Sequence, residues 1–189
     1  MSERETATGD LGLVQAFVNT LDLVPRNEEL KDPNTLKTWL VAKDLMDASQ
    51  AVDEGDLEHA HAVREAMRAV IGGNSGMRIY PVELATLNEA ASASRLRMRF
   101  APDGKARLEP EASGAVGAIG RLVATFYSAM QDANWERLKL CRSDECRWAF
   151  FDRSKNHSSR WCTMASCGNR EKARRFRKRE RAASSPAED

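Results

Sequence analysis

The sequence predicts a mainly α protein with a small β-hairpin, an α+β chain in which a helical N-terminal domain precedes a small cysteine-rich module. Three observations carry that reading. Apolar residues recur at helical spacing through most of the first 138 residues. The period changes once, to strict alternation, in Arg95-Leu96-Arg97-Met98-Arg99-Phe100. All four cysteines, Cys141, Cys146, Cys162 and Cys167, fall in the last quarter of the 189 residues.

Taken in order, residues 11–24 carry Val14, Phe17, Val18 and Leu21 at helical spacing, with Asp10 as a candidate N-cap and Pro25 as the stop. A second helix is predicted from near Asn34 through Leu36, Trp39 and Leu40. A third spans Glu54–Ile71 and is ended by Gly72-Gly73. A fourth starts at Pro81, whose fixed φ suits a first helical turn, and carries Leu84, Leu87 and Ala91. The alternating stretch then turns at Ala101-Pro102-Asp103-Gly104 and returns through Lys105–Leu108, which predicts a hairpin near 95–109 with Leu96, Met98, Phe100 and Leu108 on one face. A long helix over Ala112–Leu138 follows and leads straight into Cys141, as a stiff connection between body and module. Residues 1–10 and 183–189 read as flexible tails, around a body at 11–139 and a module at 140–182.

Charge divides the chain along the same line. The formal net charge is +1, yet residues 1–140 hold 16 basic and 21 acidic side chains, while residues 141–181 hold 13 and 5. A neutral mean thus conceals an acidic body and a basic end, the pattern of a polyanion partner. No stretch approaches the roughly 20 apolar residues of a membrane span. The start, MSERETATGD, lacks the basic and apolar parts of a secretory signal. A soluble cytoplasmic protein is the expectation, with no membrane partner.

In a reducing compartment disulfides are disfavoured. Two C-x4-C pairs separated by fifteen residues then suggest two knuckles around one tetrahedral Zn2+. Four thiolates close the coordination sphere, so such a zinc is structural. Gly168 after Cys167 offers a backbone that can take positive φ and turn N–H groups toward the sulfurs. Unligated buried cysteines, a redox-responsive zinc site and His157 as a substitute ligand are the alternatives.

The two C-x4-C pairs, Trp148 with Phe150 or Phe151, Asp152-x-Ser154-x-Asn156, Arg160-Trp161-Cys162-x-Met164, and the tetrad Cys167-Gly168-Asn169-Arg170 make a specific pattern. On these positions residues 141–181 resemble the CGNR zinc finger. Upstream, Phe17-Val18-Asn19-Thr20-Leu21-Asp22, the Leu36, Trp39-Leu40 block, Val63-Arg64-Glu65-Ala66-Met67 and Pro102-Asp103-Gly104 are similar to the ABATE-type helical domain usually joined to that finger. The resemblance covers roughly residues 10–138 there, more loosely than in the finger. It implies a stress-related transcription regulator.

Within the module, Trp148, Phe150, Phe151, Trp161, Met164 and Phe176 are expected to form a miniature core, and Asp152 and Asn156 to cap turns between the knuckles. The run after Cys167 has helix formers and no proline before Pro186. A helix there places Arg170, Arg174, Arg177, Lys178 and Arg181 on one broad face, with Ala173 and Phe176 turned to the zinc core and Lys172, Arg175 and Arg179 flanking them. Together with Arg160, the residues Arg170, Lys172, Arg174, Arg175, Arg177, Lys178 and Arg181 are the candidate nucleic-acid contacts, since so many like charges repel unless an anion is near.

No nucleophile elbow, P-loop, dinucleotide fingerprint or H-E-x-x-H motif occurs, so catalysis is not expected. Asn19 and Thr20, polar on an apolar helix, either hydrogen-bond within the body or line a ligand pocket. The reading is a zinc-dependent DNA-binding regulator. An RNA-binding module, a thiol/zinc redox sensor and an enzyme with its pocket in the body are the competitors. A small-molecule effector in the body and a homodimer remain open.

Overall fold

The computed structural model describes residues 4–183, apart from the side chains of Lys178 and residues 181–183. The outer parts of both expected tails, residues 1–3 and 184–189, lie outside the described residues. The elements run α1 (Gly9–Val18), β1 (Leu21–Asp22), β2 (Asn27–Glu28), α2 (Pro33–Ala42), α3 (Glu54–Gly73), α4 (Pro81–Ala93), β3 (Leu96–Phe100), β4 (Ala106–Pro110), α5 (Gly114–Met130), a 3-10 turn (Trp135–Arg137), β5 (Leu138–Leu140), β6 (Ala149–Phe151), a π-helical turn (Met164–Gly168) and α6 (Asn169–Ala183). The strands form three separate antiparallel pairs, β1 with β2, β3 with β4 and β5 with β6. No helix among the described residues is long and apolar enough to cross a membrane.

Helix starts follow local chemistry. Asp32 accepts from the Thr35 N–H at 2.8 Å while its own N–H reaches the Thr35 hydroxyl, and Asp53 and Asp56 reciprocate in the same way at the start of α3. Pro81 occupies the first turn of α4. The helices bury Val14, Phe17 and Val18 of α1, Leu36 and Leu40 of α2, Val63, Met67 and Ile71 of α3, and Ile119, Leu122 and Phe126 of α5 in one core. Leu138, Leu140 and Ala149 from β5 and β6 belong to that same core. The module is therefore rooted in the body.

This rooting changes several expectations. The long helix over 112–138 is not continuous. It stops at Met130, where Asp132 accepts from the Asn134 N–H at 2.7 Å in a local turn that competes with helix. Residues 138–140 then enter a strand, so the link between body and module is a packed seam and not a rod. The first helix ends at Val18, short of Val24, because Asn19 and Thr20 turn their polar groups to other partners and Leu21–Asp22 pairs with Asn27–Glu28.

The segment before α1 is not a loose tail in its described part. Glu5 carbonyl accepts from the Phe151 N–H at 3.1 Å, extending the β5–β6 pair, and Ala7 N–H donates to the Gln15 side chain at 2.7 Å. Arg4 pairs with Asp22 and stacks 4.1 Å from the Trp148 ring centre. The hairpin has the predicted face, with Met98 opposite Leu108; β4 packs against α5 and Leu96 against the core, while Met98 and Phe100 stay mostly exposed.

Candidate metal centre

The seam between body and module is built from hydrogen bonds to strand backbones. Asn19 uses both ends of its amide on Ala149, donating to its carbonyl at 2.8 Å and accepting its N–H at 2.9 Å. Gln15 adds a bond to the same carbonyl. On the other side Asn74 donates to the carbonyls of Trp135 and Leu138, and the Ser75 hydroxyl both donates to the Leu140 carbonyl and accepts its N–H. Asn19 and Thr20 are thus committed inside the body. Thr20 donates to the Phe17 carbonyl and accepts from Arg64, so of the two readings of the pair the structure shows hydrogen bonding within the body.

From this base the first knuckle follows β5 directly. Cys141 N–H donates to the Trp148 carbonyl at 2.9 Å, and Cys146 N–H to Ser143 at 2.8 Å, with Arg147 in the left-handed region at φ 46°. The second knuckle is the π-helical turn. The Thr163 hydroxyl accepts the Ser166 N–H at its start, and Gly168 N–H donates to the Thr163 carbonyl. Gly168 does not take positive φ, contrary to the expectation; it lets the Met164 side chain lie close over the turn. A Cβ would lie 2.7 Å from the Met164 sulfur and 3.3 Å from the Trp161 ring.

All four sulfurs lie within 4.8 Å of one another, and all four cysteines are buried. The Cys146–Cys162 and Cys162–Cys167 separations are 3.8 and 3.7 Å. A tetrahedral zinc with Zn–S bonds of about 2.3 Å requires edges of about 3.8 Å, so the donor set fits Zn2+. Its electrostatics fit as well. The Cys146 and Cys162 thiols, then the N–H groups of Cys162 and Ser143, hydrogen-bond the Cys141 sulfur and hold its pKa down to about 2. That charge in turn pushes Cys146 up to about 12 and Cys162 higher still. Four thiolates at this spacing need a cation to coexist. The centre is a four-cysteine site for one structural zinc.

Two arginines offset its net negative charge. Arg170 reaches the Cys167 sulfur at 3.9 Å and Glu145 of the first knuckle at 3.4 Å, so it ties the two knuckles together. Burial works against the Arg4 charge, but Asp22 and the sulfurs of Cys162 and Cys146 outweigh it and raise its pKa. The module's apolar core is smaller than expected. Phe150, Trp148 and Trp161 pack on the cysteines, while Phe151 faces the body core. Met164 and Phe176 are more than half exposed, because α6 leaves the π-turn as an arm and does not fold back onto the zinc.

Of the candidate nucleic-acid residues, Lys172, Arg174, Arg175 and Arg177 are exposed on α6, Arg160 is exposed on the loop between the knuckles, and Arg170 serves the zinc site. Arg174 pairs with Glu171. The side chains of Lys178 and Arg181 lie outside the described residues. Sequence reasoning missed Lys139. Its ammonium lies 2.9 Å from Asp152 and also donates to the His157 carbonyl. The alternation Leu138-Lys139-Leu140 was the available signal, hidden behind an assumed helix.

A helical body whose core extends into a four-cysteine zinc module, with a basic arm beyond it, defines a small zinc-finger protein. The ABATE family model, described as "Putative stress-induced transcription regulator", matches residues 11–133, and the CGNR zinc finger model matches residues 137–180. The chain belongs to the ABATE family and carries a CGNR zinc finger after that domain. Among curated proteins no relative matches it.

Proposed function

We propose that this zinc-binding regulator acts by binding duplex DNA through the finger and α6, in the cytoplasm, and that it is a binding protein and not an enzyme. The observation that carries the reading is the arm itself. Helix α6 is continuous with the turn that holds Cys167, and Lys172, Arg175, Arg177 and Arg179 have no carboxylate partner on it among the described residues. A closely spaced set of arginines on a metal-held helix is suited to phosphate oxygens, which fix orientation on a duplex. The non-catalytic reading is supported by the donor set, since four thiolates leave no open position on zinc.

The test is fluorescence anisotropy of zinc-loaded protein with a labelled duplex and with a structured RNA of equal phosphate number, over a salt series. Wild type is expected to bind the duplex more tightly, with a steep salt slope. Changing Arg174, Arg177 and Arg181 together to Ala is expected to cut affinity at least tenfold and to lower the slope by about 3. Equal binding by variant and wild type overturns the role of the arm. Tighter binding to RNA overturns the choice of DNA.

A further inference from the structure

Away from α6, a cleft of about 300 Å³ opens where the body meets the loop between the knuckles. Ser75, Lys139, Arg142, Ser158 and Arg160 are among the residues that line it. Its cations come from segments tied to the zinc knuckles. Arg142 follows Cys141 and Arg160 precedes Cys162 by two residues, and the Arg142 N–H donates to the Arg160 carbonyl at 2.9 Å. The backbones of the two arginines are therefore joined beside the zinc knuckles, and neither side chain has a carboxylate partner among the described residues. The Arg142 guanidinium is aimed by a bond to the Ser75 carbonyl. Lys139, 8% exposed, adds a buried ammonium whose charge Asp152 balances. The Ser158 hydroxyl has no partner among the described residues. Glu136 lines the adjoining hollow with Lys139 and His157, which sets the anion toward the arginines.

We propose that this cleft is a phosphate-binding site. Like charges on one cleft attract an anion, and guanidinium forks with a nearby hydroxyl match a phosphate's oxygens. The site takes a single phosphate group, as a phosphodiester of nucleic acid or as free phosphate. It rests on the DNA reading only for the source of that group.

Amide chemical-shift mapping on the zinc-loaded full chain, with inorganic phosphate in one arm and a short duplex in the other, tests the site. Wild type is expected to shift the amides of residues 157–160 in at least one arm, and Arg160→Gln to abolish that shift with zinc content and the remaining spectrum unchanged. If the source is DNA, Arg160→Gln also weakens duplex binding about three- to tenfold and lowers the salt slope by about 1. Shifts with phosphate alone, and no duplex binding, retain the site and refute the DNA reading. No shift at residues 157–160 in either arm overturns the site. Duplex binding that Arg160→Gln leaves unchanged while the α6 triple variant loses it overturns DNA as the source of the phosphate, and the site then stands or falls on the phosphate arm.

Discussion

The Lys139 ammonium lies 2.9 Å from the Asp152 carboxylate, with both residues buried where β5 meets β6. Lys139 stands two residues before the first zinc ligand and Asp152 just after β6, so one ion pair fastens the base of the module. Asp152 also accepts the N–H groups of Ser154 and Ser159, at 3.0 Å each, and thereby shapes the loop between the knuckles. Removing one partner leaves a buried charge without compensation, a loss of about 3–5 kcal/mol in comparable pairs. Lys139→Met is expected to destabilise the zinc-loaded protein on that scale in urea. Adding Asp152→Asn, which removes the charge but keeps an amide oxygen for the loop N–H groups, should recover part of the loss, and a double variant no better than the single one would refute the pairing.

The same carboxylate makes the pH dependence specific. Burial pushes the Asp152 pKa up, but hydrogen bonds from Lys139, Ser154 and Ser159 outweigh it and hold the group well below the usual carboxylate range. A depressed folded pKa contributes stability that is fully present above the unfolded value of about 3.9 and is lost as pH falls toward the folded value. Acid also protonates the thiolates, in wild type and variant alike, so the difference between them isolates Asp152. The stability gap between wild type and Asp152→Asn is expected to be constant above about pH 5 and to narrow below about pH 4. A gap independent of pH from 7 to 3 would exclude this role.

Local signals were legible in the sequence where a feature depends on neighbours a few residues away. Pro81, the alternation at residues 96–100 and the cysteine spacing each placed their element. What the sequence hid is long-range. Asn19 finds its partner 130 residues away, at Ala149, and nothing near Asn19 announces that backbone. Leu138-Lys139-Leu140 is too short to show its period beside a strong helix, so the sequence pattern continues as a rod across the seam. The zinc ligands were visible because metal spacing is local. The Arg142–Arg160 cleft was not, because the fold alone brings those residues together.

The Asn19–Ala149 bonds give the seam its own test. Asn19→Ala leaves a buried N–H and part of a buried carbonyl unpaired, although Gln15 still reaches the carbonyl at 3.1 Å. The expected loss is about 2–3 kcal/mol. Hydrogen exchange at the Ala149 amide should accelerate together with that of β5 and β6. Unchanged protection of Ala149 would show that the side-chain amide does not hold the strand.

Zinc removal should act unevenly along the chain. Purified protein is expected to contain one zinc per chain, and Cys167→Ser to lower that content. Structural zinc supplies folding free energy, of order 10 kcal/mol in finger peptides near neutral pH. Here β5 and β6 are also packed into the body core through Leu138, Leu140 and Ala149. Chelation should therefore expose amides in 141–168 to rapid exchange while α3 and α5 stay protected. Global unfolding on chelation would mean that the body depends on the metal, and full retention of structure in 141–168 would mean that the sulfurs do not hold it.

Packing in the body can be tested where two opposed effects meet at one glycine. Gly120 lies inside α5, where Ala is favoured over Gly by about 1 kcal/mol. Its face, however, rests on the end of α4 and on β4. A Cβ there would stand 2.4 Å from the Ser94 Cβ and 3.0 Å from the Pro110 Cβ. Ser94 is fully buried, and its hydroxyl is held by the Ala90 carbonyl at 2.8 Å, so the neighbour has little room to give. Overpacking of this kind costs about 1–3 kcal/mol. Gly120→Ala is therefore expected to destabilise by about 1–2 kcal/mol despite its better helix propensity. Gly55→Ala, in the first turn of α3, meets only the Asp53 carboxylate at 3.3 Å and should be neutral or stabilising. Urea midpoints of the two variants that move together, in either direction, would show that propensity and not the contact of α5 with Ser94 decides the outcome.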